Sequence, residues 1–572
     1  MKKGLKVLIF AIVLIGIVSI GLADVSYPYL SQYGPAIVNW GSNVKYGGTV
    51  KLLGTQGPLT LNFNPFITTS SLPIGFIYEP LFYVSLDSNV TNILGTSYQW
   101  TNNNLELDIT VRQGVKWSDG VPFTSADVIF TFNYLKEHPA IDLNGIWAPS
   151  NDLENVSASG DTVIFKFSQP NTSIFPYIAS ELIVPEHIWS KIDEPSKDTN
   201  PNPIGTGPFL FKTFDSPTNT VTFVKNPNYW MKDRPYIDSI IYHSVSSDDT
   251  ALLEMIKHNY DYAGFNMPGV SKTYVAKDPN NKVWYPILGN FYIVLNDAKY
   301  PFNIPEFRKA MSLAMNREAM WAVGGNPNIN PYSASYNNPT MIPYPQQATW
   351  LDPTLTFLAT SLVAYNPTEA QDILASIGFK KNSAGQLCGP DGKPLPTYKF
   401  TTVSGWAAPL GAAQIFVQNM KEIGLSVSID IVSFGSFYSS VQTGTFDISY
   451  MWESYGPTPY YTYNPTFNSS FTAPIGKTAV SNFSRYTNPL IDAALQVYNS
   501  TSDPRLQRQA IYTIERIVLD DMPILPFLAN QGNEVYNTTN FVGWPSENYP
   551  YAYQMSGTNT AGELAMLNIH LK

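Results

Sequence analysis

Between residues 105 and 111, apolar Leu105, Leu107, Ile109 and Val111 alternate with polar Glu106, Asp108 and Thr110. That is the two-residue period of a strand with one buried face. Ser118-Asp119-Gly120 follows with turn chemistry, and Thr124 or Ser125 is placed to cap a helix carrying Asp127, Val128, Phe130 and Phe132. A strand is predicted at Gly47–Leu53 and a buried one at Phe291–Asn296. The run from Phe307 to Arg317 puts Phe307, Ala310, Met311 and Ala314 on one helical face. A helix from Ala412 to Ile423 stops at Gly424 and hands over to a strand at Leu425–Ile431, with a further strand at Thr445–Trp452. Strands alternating with helices in both halves predict α/β lobes. No internal repeat of solenoid length is present.

Composition narrows the class. A chain of 572 residues exceeds one ordinary core, so two or more lobes are expected. Hydrophobic residues at 44% exclude a wholly disordered chain. The net charge of −10, with no basic stripe, argues against a nucleic-acid partner and fits an anionic ligand poorly. Lys2, Lys3 and Lys6 precede the apolar run Val7–Leu22, and Gly21-Leu22-Ala23 offers a cleavage site before Asp24. Residues 1–23 therefore read as a secretory signal. Lys3-Gly4 before Leu5 also resembles the pilin-like signal of some archaeal surface proteins, and cleavage there would retain the helix as an anchor. Either way the protein is expected outside the cell, associated with the membrane through this segment or through a partner, and an archaeal surface is the preferred setting. The single cysteine, Cys388, permits no intramolecular disulfide and no N-terminal lipid. Sequons at Asn89, Asn155, Asn171, Asn468, Asn482, Asn499 and Asn537 allow N-glycosylation.

The run Val111-Arg112-Gln113-Gly114-Val115-Lys116-Trp117-Ser118-Asp119-Gly120-Val121-Pro122-Phe123-Thr124-Ser125-Ala126-Asp127-Val128 resembles the signature of the family 5 extracellular solute-binding proteins, the receptors of ABC importers. Further blocks resemble the family in order: Gly47-Gly48-Thr49, Tyr78-Glu79-Pro80-Leu81, Gly205-Thr206-Gly207-Pro208-Phe209, Asn226-Pro227-Asn228-Tyr229-Trp230 and Pro523-Ile524-Leu525-Pro526. The residues of these blocks read as scaffold. Gly205 and Gly207 suit a sharp turn, and Trp230 suits a buried ring with its N–H paired. The resemblance implies a two-lobed periplasmic-binding-protein-like α/β fold of the cluster C type, hinged between lobes, with an extra subdomain in the first lobe. Its expected segments are a tether at 24–46, lobe I from 47–65, 196–286 and 523–572, the extra subdomain at 66–195, and lobe II at 287–522. It also implies a partner permease in the membrane, a monomer and no cofactor.

A ligand cleft needs apolar walls with a few placed polar groups. The segment Met451–Tyr463 follows a strand, carries Gly456, Pro457 and Pro459, and reads as a loop rich in rings. Trp452, Glu453, Tyr455 and Tyr460 are its candidate ligand-binding residues. Trp406, in a Gly/Pro-flanked loop, is a second wall, and Phe63 and Asn64 are candidates from the opposite lobe. Peptide-binding members of the family have W-x-x-D, whose acid meets the ligand's ammonium. Here Tyr455 stands in that place. A buried ammonium without a counter-charge is costly, whereas aromatic rings and phenols suit sugars, so an oligosaccharide is preferred over an oligopeptide. No zinc-protease, P-loop, G-x-S-x-G or paired C-x-x-C motif occurs, and the five histidines lack ligand spacing. The rival readings are a secreted glycoside hydrolase, with Glu453 as the first suspect acid, and a structural surface-layer protein.

Overall fold

The computed structural model describes residues 30–67, 72–265, 267, 269–324, 339–344, 346–454, 456–553, 555 and 560–572. The signal or anchor at 1–23, the start of the tether and Tyr455 lie outside these residues.

Two sheets define the two lobes. Seven strands, in the spatial order 209–215, 220–225, 239–245, 49–56, 262–263, 534–537 and 281–284, form the first. Five strands, in the order 427–432, 398–403, 448–454, 287–295 and 524–531, form the second. A further four-stranded sheet, 95–101, 106–111, 162–167 and 153–159, belongs to the segment inserted in the first lobe. One hydrophobic core joins that segment to the seven-stranded sheet, and a separate core lies under the five-stranded sheet. This is the two-lobed α/β fold.

The chain passes between the sheets twice, from strand Asn281–Trp284 into Ile287–Leu295 and from Ile524–Gln531 into Glu534–Asn537. The Gly532 N–H donates to the Pro286 carbonyl at 2.8 Å, binding the two crossings together. The second crossing corrects the expected boundary at 523. Ile524–Gln531 pairs antiparallel with Ile287–Leu295 in the second lobe, and only residues beyond it return to the first. The tether is corrected too, because Ala36, Ile37 and Val38 are buried and Asn568 grips them from the buried C-terminal helix.

Local readings of the signature hold. Strand Glu106–Val111 buries Leu107, Ile109 and Val111, and Thr124 caps helix Ser125–Glu137 in a capping box with Asp127. The Ser118 N–H donates to Gly205 O at 2.9 Å, tying the signature to the Gly205-Thr206-Gly207 block. Gly205 serves a different need from the turn expected of it: a Cβ there would sit 1.9 Å from the Ile77 carbonyl oxygen, so the residue permits backbone contact. Trp230 donates its N–H to Glu79 at 2.9 Å. The sequons at Asn171, Asn482 and Asn537 are buried, with their amides donating to neighbours, which removes them as glycosylation sites of the folded chain.

Candidate functional site

Strand Ile448–Ser454 ends beside the hinge, with Trp452 opposite Phe291 and Glu453 opposite Asn290 on the crossing strand. Strand alternation sends these neighbours to opposite faces of the sheet. On one face, Trp452 meets Trp406 at 5.7 Å between ring centroids, and Phe434 continues the row 5.7 Å from Trp406. Trp406 is 37% exposed and Phe434 47%, so this is an open aromatic platform with Tyr450 beneath it.

On the other face, Glu453 lines a cavity of about 650 Å³ between the lobes. The first lobe contributes Phe82, Tyr83, Tyr177 and Tyr553, and the second contributes Leu288 and Tyr461. The Tyr177 and Tyr461 rings meet edge to face at 5.9 Å across the lobe boundary. The Tyr461 hydroxyl also donates to Ser173 O at 2.7 Å, and Gln347 donates to Leu86 O and Gly456 O at 2.8 and 2.7 Å. The lobes are thus in contact around the cavity.

Glu453 is the only Asp, Glu, Lys, Arg or His among the described lining residues. Burial alone pushes its carboxyl up to about 8, with no hydrogen-bond donor or cation pulling it back among the described residues. At neutral pH it is mostly protonated, so it both donates and accepts a hydrogen bond.

The structure brings Trp452 and Trp406 together and sets Glu453 in the cavity behind them. It moves the other candidates. Phe63 is wholly buried against Phe211 and Phe223, a core residue of the first lobe. Asn64 is buried too, and its amide donates to the carbonyls of Pro195 and Asp198, fixing that loop. Tyr460 lies in helix Tyr460–Phe467, which replaces the loop expected there, and stacks on Tyr498 at 4.5 Å in the second core. Its neighbour Tyr461 faces the cavity instead. Tyr177, Phe82 and Tyr553 escaped the sequence reading because they come from distant segments, and only the abundance of Tyr hinted at them.

Among the described residues no helix is long and apolar enough to cross a membrane, and no group of three or more His, Cys, Asp or Glu is placed to hold a metal.

Residues 89–473 match the profile of the bacterial extracellular solute-binding proteins, family 5 middle region. The chain is 24% identical over 466 residues to the glutathione-binding protein GsiB of Salmonella typhi, covering 79% of this chain and 83% of that one. It is 24% identical over 509 residues to the oligopeptide-binding protein AppA of Bacillus subtilis, covering 86% and 88%. The solved periplasmic oligopeptide-binding protein of an oligopeptide ABC transporter from Thermotoga maritima superposes with a TM-score of 0.79 at 25% identity, over 92% of this chain and 99% of that one. Its mannohexaose-bound form superposes with a TM-score of 0.70 at 25% identity, over 93% and 99%. With the matched profile spanning more than half its length, two lobes joined by a double crossing and a cavity between them, the chain belongs to the family 5 extracellular solute-binding proteins.

Proposed function

We propose that the protein is the extracellular receptor of an ABC importer, that it captures an oligosaccharide between its lobes by hinge closure, and that it delivers the ligand unaltered to a membrane permease. It works as a monomer at the outer membrane face, held there by its N-terminal segment or by the permease. The observation that carries the ligand class is the cavity lining. Five aromatic rings, amide and hydroxyl groups surround one carboxyl that is mostly neutral at pH 7, and no cation is among the described lining residues. A neutral polyhydroxylated chain finds ring faces and hydrogen-bond partners there. The carboxylate end of a zwitterionic peptide finds no counter-charge. The Thermotoga maritima protein with mannohexaose bound supports the same class.

A peptide reading rests on Glu453 itself, since a ligand ammonium beside it would draw the carboxyl back to its ionised form. Thermal shift with mannohexaose and with a hexapeptide separates the two, because a tight ligand raises the melting temperature by mass action. A shift with the peptide alone, abolished in Glu453→Gln, would establish the peptide reading. Turnover of either ligand would refute the binding-only proposal.

A further inference from the structure

The buried acids and bases of this fold are kept apart. Arg234, Arg308, Arg317 and Arg485 are buried, yet their guanidinium groups donate chiefly to backbone carbonyls. Arg234 reaches Val38 and Leu567, Arg308 reaches Phe302, Asp521 and Met522, Arg317 reaches Ser312 and Pro526, and Arg485 reaches Val441 and Phe483. Among the described residues, only Arg308 of these four pairs with a buried carboxyl, Asp297 at 3.8 Å.

The buried carboxyls meet neutral groups. Glu79 accepts from the Tyr229 hydroxyl and the Trp230 N–H, Glu181 from Asn144, Glu534 from the Tyr262 hydroxyl, and Glu515 from the Asp352 N–H. Glu563 is wholly buried beside Glu79, and neither of its oxygens has a donor among the described residues. Two facing carboxyls bond only when one holds a proton.

We propose that the fold is built for an acidic medium, with Glu79, Glu181, Glu515, Glu534 and Glu563 carried as neutral acids in the native state. Ionised, each would be a desolvated charge with no ion-pair partner in contact among the described residues, Arg112 and Arg516 acting only at longer range. Protonated, each needs only the neutral partners it has. The charged and titratable groups around them agree. Tyr229 and the Arg112 guanidinium face the Glu79–Glu563 pair, and Arg112 lies over the Trp230 ring with its Nε–H on Ile93 O. Tyr262 and Tyr536 face Glu534, Asp142 faces Glu181, and Asp352 and Arg516 face Glu515. Arg112 and Arg516 are the only cations in this set.

Burial pushes Glu181, Glu515 and Glu534 each up to about 7 and raises Glu79 and Glu563 as well. A carboxyl raised by folding contributes stability that is fully present below its unfolded value and is lost as pH rises through its folded value. For these groups the loss runs from about pH 4 to pH 7 and above. Surface acids held low, such as Asp119 beside His187 at 2.7 Å, act in the opposite sense. Exposed ion pairs of that kind contribute little.

The test is thermal unfolding of the full chain from pH 3 to pH 8, with Glu563→Gln as a permanently neutral replacement and Glu534→Gln as a second. The wild-type melting temperature should rise by about 5 °C or more from pH 8 to pH 4. Each variant that folds should melt higher than wild type at pH 8 and level with it at pH 4. A wild-type profile that is flat or falls towards pH 4 overturns the proposal, as do variants that lower the melting temperature equally at both pH values.

Discussion

Replacing Glu453 by Gln removes the one cavity carboxyl while keeping its size and its capacity to donate and accept hydrogen bonds. Burial raises that carboxyl from 4.5 to about 8, a difference worth about 5 kcal/mol between the folded and unfolded charged states. Solvent entering the cavity mouth screens the charge and reduces the effect to about 1–3 kcal/mol. The sign is fixed by linkage: the stabilisation is complete below pH 4.5, where both states are protonated, falls between 4.5 and 8, where only the folded state keeps its proton, and is gone above 8, where both are ionised. Ligand-free wild type and Glu453→Gln should therefore unfold at the same urea concentration at pH 4, and the variant should be more stable by about 1–3 kcal/mol at pH 9. Urea titrations at pH 4, 7 and 9 measure this. A variant less stable than wild type at pH 9 would mean that the carboxylate has an attractive partner, and the unpaired acid in the cavity would have to be given up.

Trp452→Ala should weaken ligand binding by about 1–3 kcal/mol, measured by calorimetric titration, with a small change in ligand-free stability, if the platform with Trp406 touches ligand. Phe63→Ala should instead cost about 3–5 kcal/mol of stability, read by denaturant titration, and leave affinity intact, because the ring fills the first core. Asn64→Ala should cost about 1–3 kcal/mol in the same assay by leaving the Pro195 and Asp198 carbonyls without their buried donor. N-terminal sequencing of the native protein checks the anchor: a start at Leu5 supports a retained helix, and a start at Asp24 removes it.

The parts of this fold that were legible in the sequence are local ones. The Leu107–Val111 alternation and the Thr124 cap act over a few residues, so the strand, turn and helix of the signature follow from their own chemistry. Trp452 and Trp406 were legible as candidate cleft walls because each stands at or just beyond the end of a strand, and the sheet order then brings them together. Phe63 and Asn64 could not be placed the same way. An aromatic and an amide in a loop after a strand look identical whether they face ligand or core, and only the distant Phe211, Phe223 and Pro195–Asp198 decide. Tyr460 and Tyr461 differ by one position on a helix that the sequence read as a loop, and that one position separates core from cavity. The second crossing was misplaced because Ile524–Gln531 carries the same apolar run whichever sheet it joins. Pairing with Ile287–Leu295 is a choice made by the tertiary structure.

The central claim is that the interlobe cavity takes a neutral oligosaccharide. Calorimetric titration of the purified protein with mannohexaose, beside an equal-length peptide, tests it most directly. Saturable binding of the sugar is expected, retained at least in part by Glu453→Gln and weakened by Tyr177→Ala in the cavity wall, with no binding of the peptide. Saturable peptide binding that Glu453→Gln abolishes, with no heat from the sugar, would contradict it.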